Sequence, residues 1–316
     1  MNTASDYRYR CWCASCTTTR RTNYPTIMAT KFLLSLLAAT SLVQSIPLIP
    51  RANVWETLPP TPPLPAPINN AKAPINGVNL WFQKYNEAAG GTPIVLIHGG
   101  LGYSAYFGDV ISRLMEKYYI IAVDRRGHGR STFNAADTFT FEMFAKDTDD
   151  LLKAQGVSKA VWVGWSDGAA TTLAGLLDST INKSITKAFV FGGFQKPSDT
   201  NATFTNTSIY STFVSRCATE YAQLQPGVDF MSFATKVATL EGTLPSWTDA
   251  QLAKIDGSKV TIAGAEHEEA VNLAVAPHLA SAIPRSKLVI LPGVSHFAPV
   301  QNPAQFIAAI EEFLVA

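Results

Sequence analysis

Net charge and cysteine are both scarce in this sequence, and each shortage removes a class of protein. Across 316 residues, 25 basic side chains stand against 24 acidic ones, so the formal charge is only +1 and no global basic field is available to hold DNA or RNA. Nucleic acid is therefore not an expected partner. Charged residues make up 16% of the chain and hydrophobic residues 47%, the balance of a protein with a core rather than of a disordered polyelectrolyte. Of the four cysteines, Cys11, Cys13 and Cys16 fall in the first sixteen residues and Cys217 stands alone, so no disulfide framework can staple the body. C-x-C-x2-C with no fourth ligand nearby is also a poor metal site. Apolar runs of spanning length are missing as well: Phe32–Val43, within Lys31-FLLSLLAATSLV, falls short of the ~20 residues a transmembrane helix requires. Such a run behind a basic residue has the form of a secretory signal starting at Met28 and ending near Ser45. Residues 1–27 are read as an upstream leader and 28–45 as the signal, giving a secreted protein with no membrane span after maturation. Export would make the N-x-S/T asparagines Asn182, Asn201 and Asn206 permissible glycan acceptors.

Between Leu58 and Pro67 six of ten residues are proline, which precludes helix or central strand and predicts an extended spacer within a 46–75 linker. Beyond it, over 76–316, nearly continuous apolar runs recur between amphipathic stretches: Pro93–His98, Tyr118–Asp124, Ala160–Trp165, Lys187–Gly192, Lys259–Gly264 and Lys287–Leu291. Runs of that kind predict strands buried on both faces, in an α/β arrangement with a mostly parallel central sheet and helices on both sides. Phe141, Phe144, Thr148, Leu151 and Leu152 share one face of a helix over 140–155 that Gly156 stops. A last helix is capped by Asn302-Pro303 and turns Phe306, Ile307, Ile310, Phe313 and Leu314 inward. The interval 193–258 is too long for a loop and reads as a mostly helical cap inserted into the sheet domain.

Gly164-Trp165-Ser166-Asp167-Gly168 follows a strand and opens a helical run, the setting in which G-x-S-x-G has chemical meaning. A serine on a sharp strand-to-helix turn is exposed for attack, and the free amides of the helix start lie where an oxyanion would develop. With this motif the chain resembles the α/β-hydrolase fold family, over roughly Asn79 to Ala316. The resemblance implies a triad in the order serine, acid, histidine. Ser166 takes the first place, and His296, in Gly293-Val-Ser-His-Phe-Ala-Pro299 after the last strand, takes that of the general base. The acid falls in Gly264-Ala-Glu-His-Glu-Glu269, where alignment with the family's E-H-D-E setting selects Glu268, with Glu266 and Glu269 as rivals. His98-Gly99-Gly100-Leu101-Gly102 is similar to the family's oxyanion loop, implying main-chain donors at Gly100 and Asp167, or at Leu101 if the turn shifts by one. Asp124-Arg-Arg-Gly-His-Gly-Arg-Ser131 matches a second family signature whose role is structural, so neither His98 nor His128 is placed in the mechanism. Trp165 and the cap aromatics suggest an apolar substrate pocket.

The expectation is a serine hydrolase that cleaves small carboxylic esters through an acyl-enzyme, with no cofactor and no metal. The Glu266–Glu269 group lacks the spacing of a zinc site. Gly100-Leu-Gly102-Tyr-Ser-Ala105, with Asp124 about twenty residues further on, also fits a dinucleotide-binding turn. A hydride-transfer enzyme would leave the serine elbow, His296 and the export signal unexplained. Two other readings stay open. A binding protein on a hydrolase scaffold would keep the fold without the chemistry. An aminopeptidase similar to proline iminopeptidases is suggested by His98-Gly-Gly-Leu-Gly102, but it needs acidic cap residues to hold the substrate amine. Asp199, Glu220, Asp229, Glu241 and Asp249 form no cluster in the sequence.

Overall fold

The computed structural model describes residues 52–315, so the leader and signal readings and Cys11, Cys13 and Cys16 lie outside the described residues. Eight strands form one sheet: β1 (Lys72–Ile75), β2 (Val78–Tyr85), β3 (Ile94–Ile97), β4 (Ile120–Val123), β5 (Ala160–Trp165), β6 (Ile185–Phe191), β7 (Val260–Ala265) and β8 (Lys287–Leu291). Their spatial order is β1-β2-β4-β3-β5-β6-β7-β8. β2 runs antiparallel to both β1 and β4, and every other pair is parallel. Asn76 and Gly77 join β1 to β2 with φ of 46° and 79°, the pair of positive φ values that a two-residue hairpin turn demands.

Parallel neighbours need crossovers, and helices supply them. α1 (Gly108–Leu114) links β3 to β4, α2 (Phe141–Ala154) links β4 to β5, and α3 (Asp167–Leu177) links β5 to β6. The long β6–β7 connection carries α4 (Ser208–Leu224), α5 (Phe230–Thr243) and α6 (Asp249–Leu252), in the interval read as a cap. α7 (Val275–Ala282) links β7 to β8, and α8 (Ala298–Gln301) and α9 (Pro303–Val315) follow. The central strands are buried on both sides because alternate residues enter different cores. Val95 and Ile97 pack with Phe141, Phe144 and Leu173 of α2 and α3, while Ile94 and Leu96 pack with Val110, Phe306 and Ile310 of α1 and α9. Each such side chain stabilises the fold by about 1.5–3 kcal/mol. The Thr140 side chain accepts from the Met143 amide at 3.0 Å to start α2, and Gly156 at φ 77° follows its end.

Two expectations are corrected. β8 is an edge strand, and Leu288 and Ile290 are exposed because no further strand or helix among the described residues covers them. The linker over 46–75 also holds β1 and a packed strap instead of a free spacer. Leu64 is buried, the space beside Gly108 is filled by Pro62 and Pro63, and Arg216 of α4 donates to the carbonyls of Leu58 and Pro59. Extended prolines keep their carbonyls free to accept, and distant side chains use them.

Candidate active site

Ser166 sits between β5 and α3 at φ 58° and ψ −120°, a left-handed backbone that a residue with a β-carbon adopts at a cost of about 1–3 kcal/mol. The flanking glycines permit it. A Cβ at Gly164 would collide with the Gly168 carbonyl, and one at Gly168 would collide with the Ile97 carbonyl, so strand and helix approach as closely as backbone allows. Asp167 is the first residue of α3, where an amide has no partner four residues back and is free for an incoming oxyanion. Gly99 and Gly100 close the opposite wall: a Cβ on Gly99 would lie 3.1 Å from that of Ser166, and one on Gly100 would lie 3.0 Å from Asp167 Oδ2. Leu101, also at positive φ (57°), continues this wall.

His296 and Ser166 line one cavity of about 320 Å³, together with Gly100, Leu101, Phe194, Tyr210 and Phe213. The volume falls within the small-ligand range. Among the hydrogen bonds of the described residues none joins Ser166 Oγ to His296, a contact that often tightens only when substrate arrives. His296 Nδ1 lies 2.7 Å from Glu268 Oε1, off the line of an ideal hydrogen bond but within ion-pair reach. The same Glu268 oxygen accepts from the amides of Ala270 and Val271 at 3.0 and 3.1 Å, which fixes the carboxylate in place. Burial by itself would lower the His296 pKa, but Glu268 and then Glu269 hold it above the ordinary imidazole value.

The three neighbouring glutamates are thus separated by what they touch. Glu268 alone reaches the imidazole ring. Glu269 accepts from Ser295 Oγ at 2.8 Å and from the His296 amide at 2.9 Å, bracing the backbone of the histidine loop, and burial raises its carboxyl pKa. Glu266 accepts from the Gly293 amide at 2.8 Å on the exposed side.

Trp165 is 3% exposed and packs among Tyr106, Phe107, Phe297 and His296, and it lines the same cavity as Ser166 and His296. His98 and His128 lie outside the cavity. His98 Nε2 accepts from the Arg125 amide at 3.0 Å, and His128 Nδ1 meets the Arg126 carbonyl at 3.0 Å. Burial, followed by Arg125, pushes both imidazoles far down, so they brace loops as neutral rings. Asp124 accepts from the amides of Ser104 and Arg130, each at 2.9 Å, which ties its carboxylate into the turn.

One site feature escaped the sequence. Glu241 of α5, on the cap side, brings its carboxyl to that of Asp167, and Glu241 Oε1 occupies the space a Gly100 β-carbon would take. Burial raises the pKa of Asp167; burial and then Asp167 raise that of Glu241 well above its ordinary value, so the pair favours holding a proton over carrying two charges. Arg125, 3.4 Å from Asp167 Oδ2, is the counter-charge on the core side. The other cap acids go elsewhere: Asp229 caps α5, Asp199 accepts from the Gln195 amide, Asp249 from the Gln195 side chain, and Glu220 from the Tyr106 hydroxyl.

Comparison with known proteins matches this architecture. The family model described as the alpha/beta hydrolase fold matches residues 92–207, from β3 through the elbow to the start of the cap. The human serine hydrolase BPHL is 37% identical over 110 residues, 34% of this chain and 37% of that protein. The Escherichia coli esterase YbfF is 32% identical over 110 residues, 34% of this chain and 42% of that one. Both matches therefore span less than half of the relative. A meta-cleavage product hydrolase from Pseudomonas fluorescens superposes with a TM-score of 0.66 at 19% identity, over 78% of this chain and 98% of that one, which shows a common fold.

Proposed function

Because the chain has the α/β-hydrolase fold, we propose that it is a serine hydrolase cleaving small carboxylic esters with Ser166, His296 and Glu268. The observation that carries this is one cavity holding a serine on a strained elbow and a histidine whose far nitrogen is 2.7 Å from a buried carboxylate. Ser166 Oγ attacks the ester carbonyl while His296 Nε2 takes its proton. Negative charge collects on the carbonyl oxygen, against the main-chain amides of Asp167 and of Gly100 or Leu101. Collapse breaks the bond to the alkoxide, which leaves with the proton from His296, and water then releases the acid by the same steps in reverse order. Glu268 holds the imidazole so that Nε2 faces the serine and stabilises the imidazolium. His296 must be unprotonated to begin, and its raised pKa therefore places the acidic limb of kcat/KM above the ordinary imidazole value.

The test is fluorophosphonate labelling of purified protein with mapping of the modified residue. Rapid labelling at Ser166, together with a loss of turnover of about 10⁶-fold in Ser166→Ala, is the expected result. A folded protein that does not label would put the non-catalytic binding reading ahead.

A second reading has its own observation. Asp167, Glu241 and Arg125 together are one positive charge short with both acids ionised, which is why the pair favours a proton. A substrate ammonium at the same place would replace that proton, which favours esters or peptides bearing a free amine, as the aminopeptidase reading requires. A higher kcat/KM for an α-amino ester than for its N-acetylated form would support it; the reverse preference would reject it.

Export belongs to the proposal too, supported by the Phe32–Val43 run and by the exposure of Asn206. Glycosidase treatment of secreted material, followed by peptide mapping, tests it.

A further inference from the structure

The packed segment 54–64 reaches both loops that carry the proposed general base and its acid. On one side, Trp55 stacks on His267 with ring centroids 3.8 Å apart and planes within 12°, next to Glu268 in the chain. On the other, the Thr57 carbonyl accepts from Gln301 Nε2 at 2.8 Å. That amide nitrogen also donates to Ser295 Oγ at 2.9 Å, and Gln301 Oε1 accepts from the Ser295 amide at 2.8 Å. Ser295 Oγ in turn donates to Glu269, whose second oxygen accepts from the His296 amide. A continuous line of hydrogen bonds thus runs from the strap carbonyl to the backbone of His296. Further along, Leu58 and Pro59 hold Arg216 of α4, the helix that brings Tyr210 and Phe213 to the cavity.

We propose that the 54–64 strap positions the general base, with Gln301 as the positioning residue through which it acts, and that its second half fastens the cap. The two halves have separable kinetic signatures. Displacing His296 by a few tenths of an ångström harms proton transfer once substrate is bound, and so falls on kcat. Loosening α4 changes the cavity wall, and so falls on KM. The proposal rests on Ser166, His296 and Glu268 being the catalytic groups, and the test keeps the two ideas apart.

In the full-length protein, Gln301→Ala is expected to lower kcat and the rate of fluorophosphonate labelling at least threefold with KM within twofold, and Trp55→Ala to act in the same direction. Arg216→Ala is expected to raise KM at least threefold with kcat within twofold. If Gln301→Ala does not fold, Gln301→Glu carries the test, since it keeps the acceptor for the Ser295 amide and loses the donor to Thr57. Wild-type protein that labels rapidly, together with Gln301 variants whose kcat falls less than threefold while their Tm drops, would overturn the proposal and leave the strap a structural staple. Wild-type protein that does not label would mean the catalytic reading failed first.

Discussion

Glu268 and Glu269 stand beside His296, and Asp167 and Glu241 stand beside Ser166, yet the two acidic pairs are satisfied in different ways. Beside the histidine each carboxylate has its own donors: two amides for Glu268, with the imidazole in ion-pair reach, and an amide and a hydroxyl for Glu269. Beside the serine the carboxyls face each other, with one guanidinium for two acids. The first arrangement fixes a geometry. In the second, Asp167 Oδ1 has no hydrogen-bond partner among the described residues, and burial with the facing carboxyl raises the pKa of Glu241. Acidic residues withdrawn from solvent therefore need not play equal roles; the supply of donors decides.

The largest expected effect breaks the histidine side. Glu268→Gln should lower kcat/KM by about 10³–10⁴-fold, whereas Glu266→Gln should change it less than threefold, as steady-state kinetics on a model ester would show. Comparable losses in the two variants would show that contact with the ring does not identify the acid. On the serine side, Arg125→Met removes the only cation in contact with the pair among the described residues. Such a loss at a buried ion pair destabilises by about 3 kcal/mol, to be read from denaturant unfolding. An unchanged midpoint would mean that a proton on the pair suffices without the guanidinium.

The smallest effect sharpens the contrast. Glu241 has its pKa raised on folding, so the folded state binds more protons than the unfolded chain between the ordinary carboxylate value and the raised one. Its contribution to stability is present below the unfolded pKa and declines as pH rises toward the folded value. Glu241→Gln should remove that decline, so the gap in Tm between variant and wild type should move in favour of the variant from pH 5 to pH 8. A gap independent of pH would refute a proton held by the pair.

Much of this was legible in sequence, for identifiable reasons. The six inner and carboxy-terminal strands announce themselves because a strand covered on both faces must be apolar at every position, although the outward-facing Leu288 and Ile290 show that an apolar edge strand reads the same way. β1 and β2 went unread, even though the Asn76-Gly77 pair between Ile75 and Val78 is a hairpin signal in its own right. The strap was hidden because proline content reveals an extended backbone and not its partners, which lie at Arg216 and Gln301, far along the chain. Glu241 was hidden for a similar reason: one acid on an amphipathic helix looks solvated until the cap is folded over Asp167. Glu266, Glu268 and Glu269 are near neighbours whose directions only the loop conformation distinguishes.

The positive φ of Ser166 has a consequence for thermal endurance. A glycine there would relax the backbone at no steric cost, so Ser166→Gly should outlast the wild type on heating. Stability alone would favour glycine at this turn, so a serine held at that φ sets the use of its hydroxyl against thermal endurance.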